Sequence, residues 1–227
     1  MSSILLIDDD VNLSDLLSEY LQEQGHLTYA ANDGQKGLRV FFEQKPDLVV
    51  LDVTMPKMDG WETLKRIREM SRTPVIMLTA RSDESEVLRG FSLGADDYVS
   101  KPFSFAQIGA RIKAVLGRSG ETLSTTEILE AGGLKVDFST RRVTRDGDLI
   151  ALTPTEFKLL ATLMRHPNDV ISAEDLVREV WGPQYANEIG FVRRYVWHLR
   201  QKVEVDPEKP KYIHNERGFG YKFETAE

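Results

Sequence analysis

At 227 residues, the chain is too long for one ordinary domain and suits two of about 100 residues each, and an apolar content of 41% is enough to give both a core. A net charge of −7 does not announce nucleic acid, and the absence of cysteine excludes disulfides and thiolate metal sites. No apolar run approaches the roughly 18 residues of a membrane span, and Met-Ser-Ser leads straight into a strand without a signal-peptide pattern, so a soluble, cytoplasmic protein without a membrane partner is expected.

In chain order, the first half alternates apolar runs with helical patterns. Ile4-Leu5-Leu6-Ile7, Leu48-Val49-Val50-Leu51, Val75-Ile76-Met77-Leu78 and Tyr98-Val99-Ser100 suit strands buried on both faces, as in a parallel sheet covered by helices. Leu13, Leu16, Leu17, Tyr20 and Leu21 fall at helix spacing, with Gly25 placed to end that helix. Further helical faces appear in Leu38, Phe41 and Phe42, in Trp61, Leu64 and Ile67, and in Ile108, Ile112 and Val115. Five β-then-α units result, which predicts a doubly wound α/β domain with a five-stranded parallel sheet. Gly60, Gly90 and Gly94 stand where turns are needed, and the polar, aperiodic stretch from Gly117 to Thr126 predicts a linker.

Each strand run delivers a reactive side chain at its carboxyl end: Asp8 and Asp9, then Asp52, Thr79 and Lys101. The carboxyl ends of such strands form the binding crevice of a doubly wound sheet. Three clustered carboxylates with few other ligands favour Mg2+ over Ca2+, Lys101 offers a charge and Thr79 a hydroxyl to phosphate oxygens, and an aspartate can attack phosphorus to give an acyl phosphate. Taken singly, each feature has a plainer reading. An Asp-Asp-Asp after a strand often starts a helix, a Thr in a loop is often an N-cap, and Lys-Pro marks only a turn, although Pro102 can carry a cis bond.

Beyond the linker the texture changes. Leu134 to Phe138, Arg142 to Arg145 and Leu149 to Leu152 are short strand-like pieces, with Asp146-Gly147 as a hairpin signal. Thr153-Pro154-Thr155-Glu156 combines an N-cap, Pro at the first helical position and a capping-box Glu, predicting a helix through Arg165. Ser172 starts another helix that stops at Gly182 with Trp181 on its apolar side, and a third spans about 187–203. In the third, Val192, Tyr195, Val196, Leu199 and Val203 form a buried stripe, while Arg193, Arg194, Trp197, His198 and Gln201 point elsewhere. Tyr212 to Phe223 reads as a hairpin with Arg217 near its tip, completing a winged helix-turn-helix pattern. Residues 119–227 carry 15 Lys and Arg against 18 Asp and Glu, yet 190–222 carry 8 against 4, so a basic face on an acidic domain is expected.

The motifs Ile-Leu-Leu-Ile-Asp-Asp-Asp at 4–10, Leu-Asp-Val-Thr-Met-Pro at 51–56, Met-Leu-Thr-Ala-Arg at 77–81 and Gly-Ala-Asp-Asp-Tyr-Val-Ser-Lys-Pro-Phe at 94–103 resemble the receiver domain of two-component response regulators. Leu-Thr-Pro-Thr-Glu-Phe-Lys-Leu-Leu at 152–160, Val-Trp-Gly at 180–182, His-Leu-Arg-Gln-Lys-Val at 198–203 and Arg-Gly-Phe-Gly-Tyr at 217–221 resemble the effector domain of the OmpR/PhoB type. The resemblance implies a flavodoxin-like receiver over 1–118, a linker over 119–126 and an α+β winged-helix DNA-binding domain over 127–227. It makes Asp52 the phosphoacceptor, phosphorylated by a sensor histidine kinase, and gives Mg2+ to Asp8, Asp9, Asp52 and the Thr54 backbone. Thr79, the Ala80 backbone and Lys101 then sense phosphate, Tyr98 is the aromatic switch, and Asp10 is a solvated neighbour.

The same resemblance implies DNA contacts by Arg193, Arg194, Trp197, His198 and Arg200 on a recognition helix and by Arg217 on the wing, with 183–188 meeting RNA polymerase. Phe191, Arg193 and Arg194 depart from the Val-Asp-Val-His type of many members, so the DNA sequence read is not transferable. An activated homodimer is expected through Val87, Ser92, Asp97, Gln107, Arg111 and Lys113, with Asp97 and Arg111 keeping one complementary pair. The expected function is a phosphorylation-dependent transcription regulator, not an enzyme beyond slow autodephosphorylation. The rivals are an orphan regulator that binds DNA without phosphorylation and an aspartyl-phosphate phosphohydrolase, for which no substrate cap is visible.

Overall fold

The computed structural model describes residues 1–79, 93–120, 128–185 and 188–225. It divides into two compact units, Met1–Ser119 and Gly120–Glu227. In the first, β1 (Ser3–Ile7), α1 (Val11–Glu23), β2 (Leu27–Ala31), α2 (Gly34–Gln44), β3 (Leu48–Asp52), α3 (Gly60–Met70), β4 (Val75–Thr79), β5 (Asp97–Ser100) and α4 (Phe105–Gly120) follow one another. The sheet is parallel with strand order β2-β1-β3-β4-β5. Every residue of β3 and β4 is buried, as the unalternating apolar runs require.

Strand parity divides the core into two layers. Ile4, Leu6, Leu48, Val50, Ile76, Leu78 and Val99 form one cluster with Leu17 and Leu21 of α1 and with Ile108, Ile112 and Val115 of α4. On the opposite face Ile7 lies so close to α2 that a Cβ on Gly37 would sit 2.5 Å from its Cδ1. The helix α1 is capped by Asp10, whose carboxylate accepts the Leu13 N–H at 3.0 Å, so the third aspartate of the run is a helix start. Leu16, expected on the apolar face of α1, is 54% exposed.

The linker starts later than the sequence indicates, because 117–120 belong to α4 and 121–127 lie outside the described residues. A glycine weakens a helix by about 1 kcal/mol relative to alanine without forbidding it, so Gly117 does not end one. Ala80, Val87, Gly90 and Ser92 also fall outside the described residues.

The second unit opens with an antiparallel meander, β6 (Ile128–Ala131), β7 (Leu134–Asp137), β8 (Arg142–Arg145) and β9 (Asp148–Ile150). Both outer turns carry positive φ at two successive residues, Gly132-Gly133 (57°, 96°) and Asp146-Gly147 (53°, 93°), the geometry that matches strand twist in a tight hairpin. The helices α5 (Pro154–Arg165), α6 (Ala173–Val180) and α7 (Gly190–Val203) follow, with a 3-10 turn at Pro183–Tyr185 between the last two. Thr153 and Glu156 complete the expected capping box, and Ser172 caps α6. The helix α7 begins at Gly190, later than the expected 187, and its N-cap residue Ile189 offers no side-chain hydrogen bond.

Between α5 and α6 lies the short strand β10 (Val170–Ile171), and the chain ends in β11 (Ile213–Glu216) and β12 (Gly220–Phe223), the last of which pairs with both of the others. Trp181, Tyr195 and the fully buried Tyr185 fill the space between α6 and α7, with the Trp181 and Tyr195 rings 5.0 Å apart. Two long-range ties bind the meander to the C-terminal elements. The Tyr212 hydroxyl donates to the Gly132 carbonyl, and Arg145 donates to the carbonyls of Val203 and Glu204 at 3.1 and 2.8 Å. Glu204 is itself buried and accepts the backbone N–H groups of Lys211, Tyr212 and Ile213 at 2.8 to 2.9 Å. No helix among the described residues is long and apolar enough to cross a membrane.

Candidate functional site

Register decides which side chains meet at the open end of the parallel sheet. Ile7 pairs with Leu51, Asp52 with Leu78 and Thr79 with Ser100. Asp8 therefore leaves β1 beside Asp52, and Lys101 leaves β5 just beyond Thr79. Lys101 Nζ lies 2.8 Å from Asp8 Oδ2 and 2.8 Å from Asp52 Oδ1. Asp8 and Asp52 are each 4% exposed, whereas Asp9 is open to solvent.

One oxygen from each of these three aspartates lies within 4.8 Å of the others. With the carboxylates ionised, one ammonium against three of them leaves an excess of two negative charges, which a divalent cation would offset. Burial raises the Asp52 pKa above the usual carboxylate range, the Lys101 hydrogen bond opposes that rise, and the Asp8 charge adds to it. For Lys101, burial works against the charged form, but hydrogen bonds to Asp52 and Asp8 outweigh it and raise its pKa.

The loop after β3 is fixed from several directions. The Thr54 N–H donates to Asp52 Oδ2 at 3.1 Å, and the Gly60 N–H donates to the Val53 carbonyl at 2.9 Å. A Cβ on Gly60 would stand 2.2 Å from the Asp52 carbonyl oxygen, so only glycine lets α3 start this close to the acceptor strand. Lys57, at φ 69°, reaches the buried Asp33 at 2.7 Å. That hydrogen bond and the Lys36 N–H hold the Asp33 carboxyl below its ordinary range. This latch is not legible in the sequence, since neither residue directly follows one of the apolar strand runs.

Thr79 is buried at the end of β4, and the Lys101 N–H donates to its carbonyl at 2.7 Å. Tyr98 is buried, with its ring centroid 6.5 Å from that of Trp61. The Lys101–Pro102 bond is cis.

The residues expected to form a dimer face are not all together. Asp97 is fully buried and pairs with Arg111 of its own copy at 3.0 Å, so this pair is internal where a crossed one was expected. Gln107 and Lys113 are exposed, but at 100° per residue Lys113 lies roughly 160° around α4 from Arg111. Lys113 therefore does not share the Arg111 face.

In the second unit the expected buried stripe of α7 is present, with Val192, Tyr195, Val196, Leu199 and Val203 all at 3% exposure or less. Trp197 is 52% exposed, and Arg193 and Gln201 are also open to solvent. His198 is half-buried, and burial pushes its imidazole below the ordinary histidine range, against the pull of the Glu156 carboxylate. Arg200 differs from the expectation, because its Nε and Nη2 both donate to the Ile213 carbonyl, at 2.9 and 2.7 Å. It staples the hairpin to the helix, a role a helical wheel cannot distinguish from an outward one. Arg217 is exposed in the turn between β11 and β12. Neither Arg193 nor Arg217 has a carboxylate partner among the described residues.

An acidic crevice with one lysine at the carboxyl ends of a doubly wound sheet, followed in the chain by a winged helix with exposed arginines, is the arrangement of a two-component response regulator with a DNA-binding output. Comparison with known proteins agrees. Residues 4–113 match the model of the response regulator receiver domain, and residues 147–223 match that of the transcriptional regulatory protein C terminus. The chain is 43% identical over 227 residues to the transcriptional regulatory protein AfsQ1 of Streptomyces coelicolor, covering 100% of both chains. It is 36% identical to the KDP operon transcriptional regulatory protein KdpE of Escherichia coli, over 98% of this chain and 99% of that one. It is 39% identical to the DNA-binding response regulator MtrA of Mycobacterium tuberculosis H37Rv, over 96% and 95%.

Among solved structures, a point mutant of RitR aligns over 100% of both chains with a TM-score of 0.82 and 29% identity. DrrB of Thermotoga maritima, an OmpR/PhoB homologue, aligns over 99% of both chains with a TM-score of 0.54 and 34% identity. The chain belongs to the OmpR/PhoB family of DNA-binding response regulators.

Proposed function

We propose that this regulator is switched by transfer of a phosphoryl group from a sensor histidine kinase to Asp52. The observation that carries this is the crevice itself, where a buried carboxylate is held by one ammonium and faced by two further carboxylates. An Asp52 oxygen attacks phosphorus, the bond from phosphorus to the donor imidazole breaks, and an acyl phosphate forms. Asp8, Asp9, Asp52 and the Thr54 backbone would hold Mg2+, which would supply positive charge to offset the incoming phosphoryl oxygens. Lys101 then exchanges a carboxylate oxygen for a phosphoryl oxygen. Thr79 donates its hydroxyl to a second, and the Ala80 backbone N–H serves a third. Tyr98, packed against Trp61, follows Thr79 and biases a two-state face remote from the site.

That face pairs two copies around the exposed Gln107, with the Asp97–Arg111 pair fixing its position from within each copy, and brings two effector domains to DNA half-sites. On DNA, Arg193, Arg194 and Trp197, with His198 at the margin, enter the major groove, and Arg217 approaches the minor groove or its phosphates. Arg200 is left out of the contact set because its guanidinium is committed to Ile213. Within 183–188, where RNA polymerase would dock, Tyr185 is buried and serves the fold.

Intact-mass measurement after treatment with a small phosphoramidate donor tests the central step. Wild type should gain one phosphoryl group only with Mg2+ present, and Asp52→Asn should gain none. Undiminished labelling of Asp52→Asn would place the acceptor elsewhere.

A further inference from the structure

We infer that Phe219 is an apolar wedge: as the wing meets DNA, its ring enters the minor groove between two base pairs and bends the duplex. The inference rests on the docking of α7 and the wing proposed above and adds the means by which the wing acts.

Phe219 is 75% exposed, whereas Tyr221 and Phe223, the next two residues of the same strand parity, are 8% and 1% exposed. The ring is therefore carried past the end of the core into water. An aromatic side chain displayed this way leaves a large apolar area unburied unless a partner covers it.

The display is rigid. The Phe219 N–H closes the turn on the Glu216 carbonyl at 2.9 Å. Gly218 and Gly220 flank it at φ 80° and 146°. A Cβ on Gly220 would stand 1.9 Å from the Ile171 carbonyl oxygen, so the root of the turn is seated directly on β10. Lys222 braces the hairpin through Glu216 at 3.6 Å and Glu224 at 3.8 Å, and Arg200 pins its first strand to α7. A rigid apolar tip loses little freedom on insertion, which is the requirement for a wedge.

The charge around the tip selects the partner. Arg217 is exposed two residues before Phe219, and Arg193 is exposed on α7. The exposed Arg217 supplies a cation that suits a backbone phosphate at the edge of a groove. With α7 in the major groove, the tight turn from Arg217 to Phe219 is left facing the narrow minor groove, about 6 Å wide. Apolar side chains inserted there unstack a base step and kink the duplex, and pyrimidine–purine steps yield most readily. The wing therefore selects a deformable step, TA or CA, at a position where no hydrogen bond reads the base.

The test uses the full-length protein and duplexes that wild type recovers from random DNA, with bend angles measured by energy transfer between labelled duplex ends. Wild type should bend these duplexes, and the recovered set should be enriched in TA or CA at the wing position. Phe219→Ser should lose most of the bend and about ten-fold in affinity, Phe219→Leu should keep both, and replacing the TA step by AA should erase the difference between wild type and Phe219→Ser. An unchanged bend and affinity in Phe219→Ser overturns the wedge, as does a loss confined to transcription, which would assign the ring to a protein partner. If Arg193→Ala and Arg217→Ala leave binding unchanged, the docking itself is wrong. That outcome is distinct from one in which both weaken binding while Phe219→Ser does not.

Discussion

Asp97 illustrates how one residue can carry two readings. On the sequence it stands on a face expected to pair two copies; in the fold it is fully buried, accepts the Tyr98 N–H at 2.7 Å and holds Arg111 of its own chain. Removing one partner of a buried ion pair strands the other charge and costs about 3 kcal/mol. Asp97→Ala should therefore lower receiver stability by about that amount in urea denaturation, at any protein concentration. A stability loss that vanishes on dilution would restore the intermolecular pair. Lys113 and Arg200 likewise stand where a motif alone does not place a side chain. Matching a motif fixes a position in the chain but not the side of the helix it occupies, and an arginine that staples a carbonyl has the same spacing as one that faces solvent.

The elements best legible in the sequence are those whose chemistry is local. The capping box at Thr153 and Glu156, the Asp146-Gly147 turn and the strands ending at Asp8, Asp52, Thr79 and Lys101 each depend on a few adjacent residues. The strands β6 and β10 were not legible. Ile128 at the start of β6 is 47% exposed and β10 is two residues long, so neither shows a buried alternation. The Gly132-Gly133 turn was the one available signal for β6. The start of α7 carries no side-chain cap that would mark it in the sequence.

His198 gives α7 a dependence on pH. Its folded pKa is depressed by burial, with Glu156 pulling the other way and Lys202 adding to the depression. The unfolded chain therefore binds a proton first, at its ordinary pKa of about 6.5, and stability present above that pH is lost as pH falls toward the folded value. Thermal melts of the effector unit between pH 7.5 and 5, roughly the range spanning that transition, should show a slope that His198→Gln reduces. An equal slope in both proteins would assign it to other groups.

For the whole molecule, the internal commitment of Asp97 and Arg111, with an uncharged Gln107 beside them, leaves little ionic attraction between two copies. Exposed pairs are worth only about 0 to 1 kcal/mol each in any case. Sedimentation of the full chain should find a monomer when unmodified and a weak, mildly salt-sensitive dimer after phosphorylation. A tight dimer beforehand, or one that salt abolishes, would contradict this. The ties from Tyr212 to Gly132 and from Arg145 to the end of α7 have a consequence for where the effector unit can be cut. The matched C-terminal family segment begins at 147, yet a fragment cut there would leave the Tyr212 hydroxyl and the Val203 and Glu204 carbonyls without their partners. An effector fragment that keeps these ties therefore has to begin no later than Ile128 and carry the four meander strands together with the DNA-binding helices.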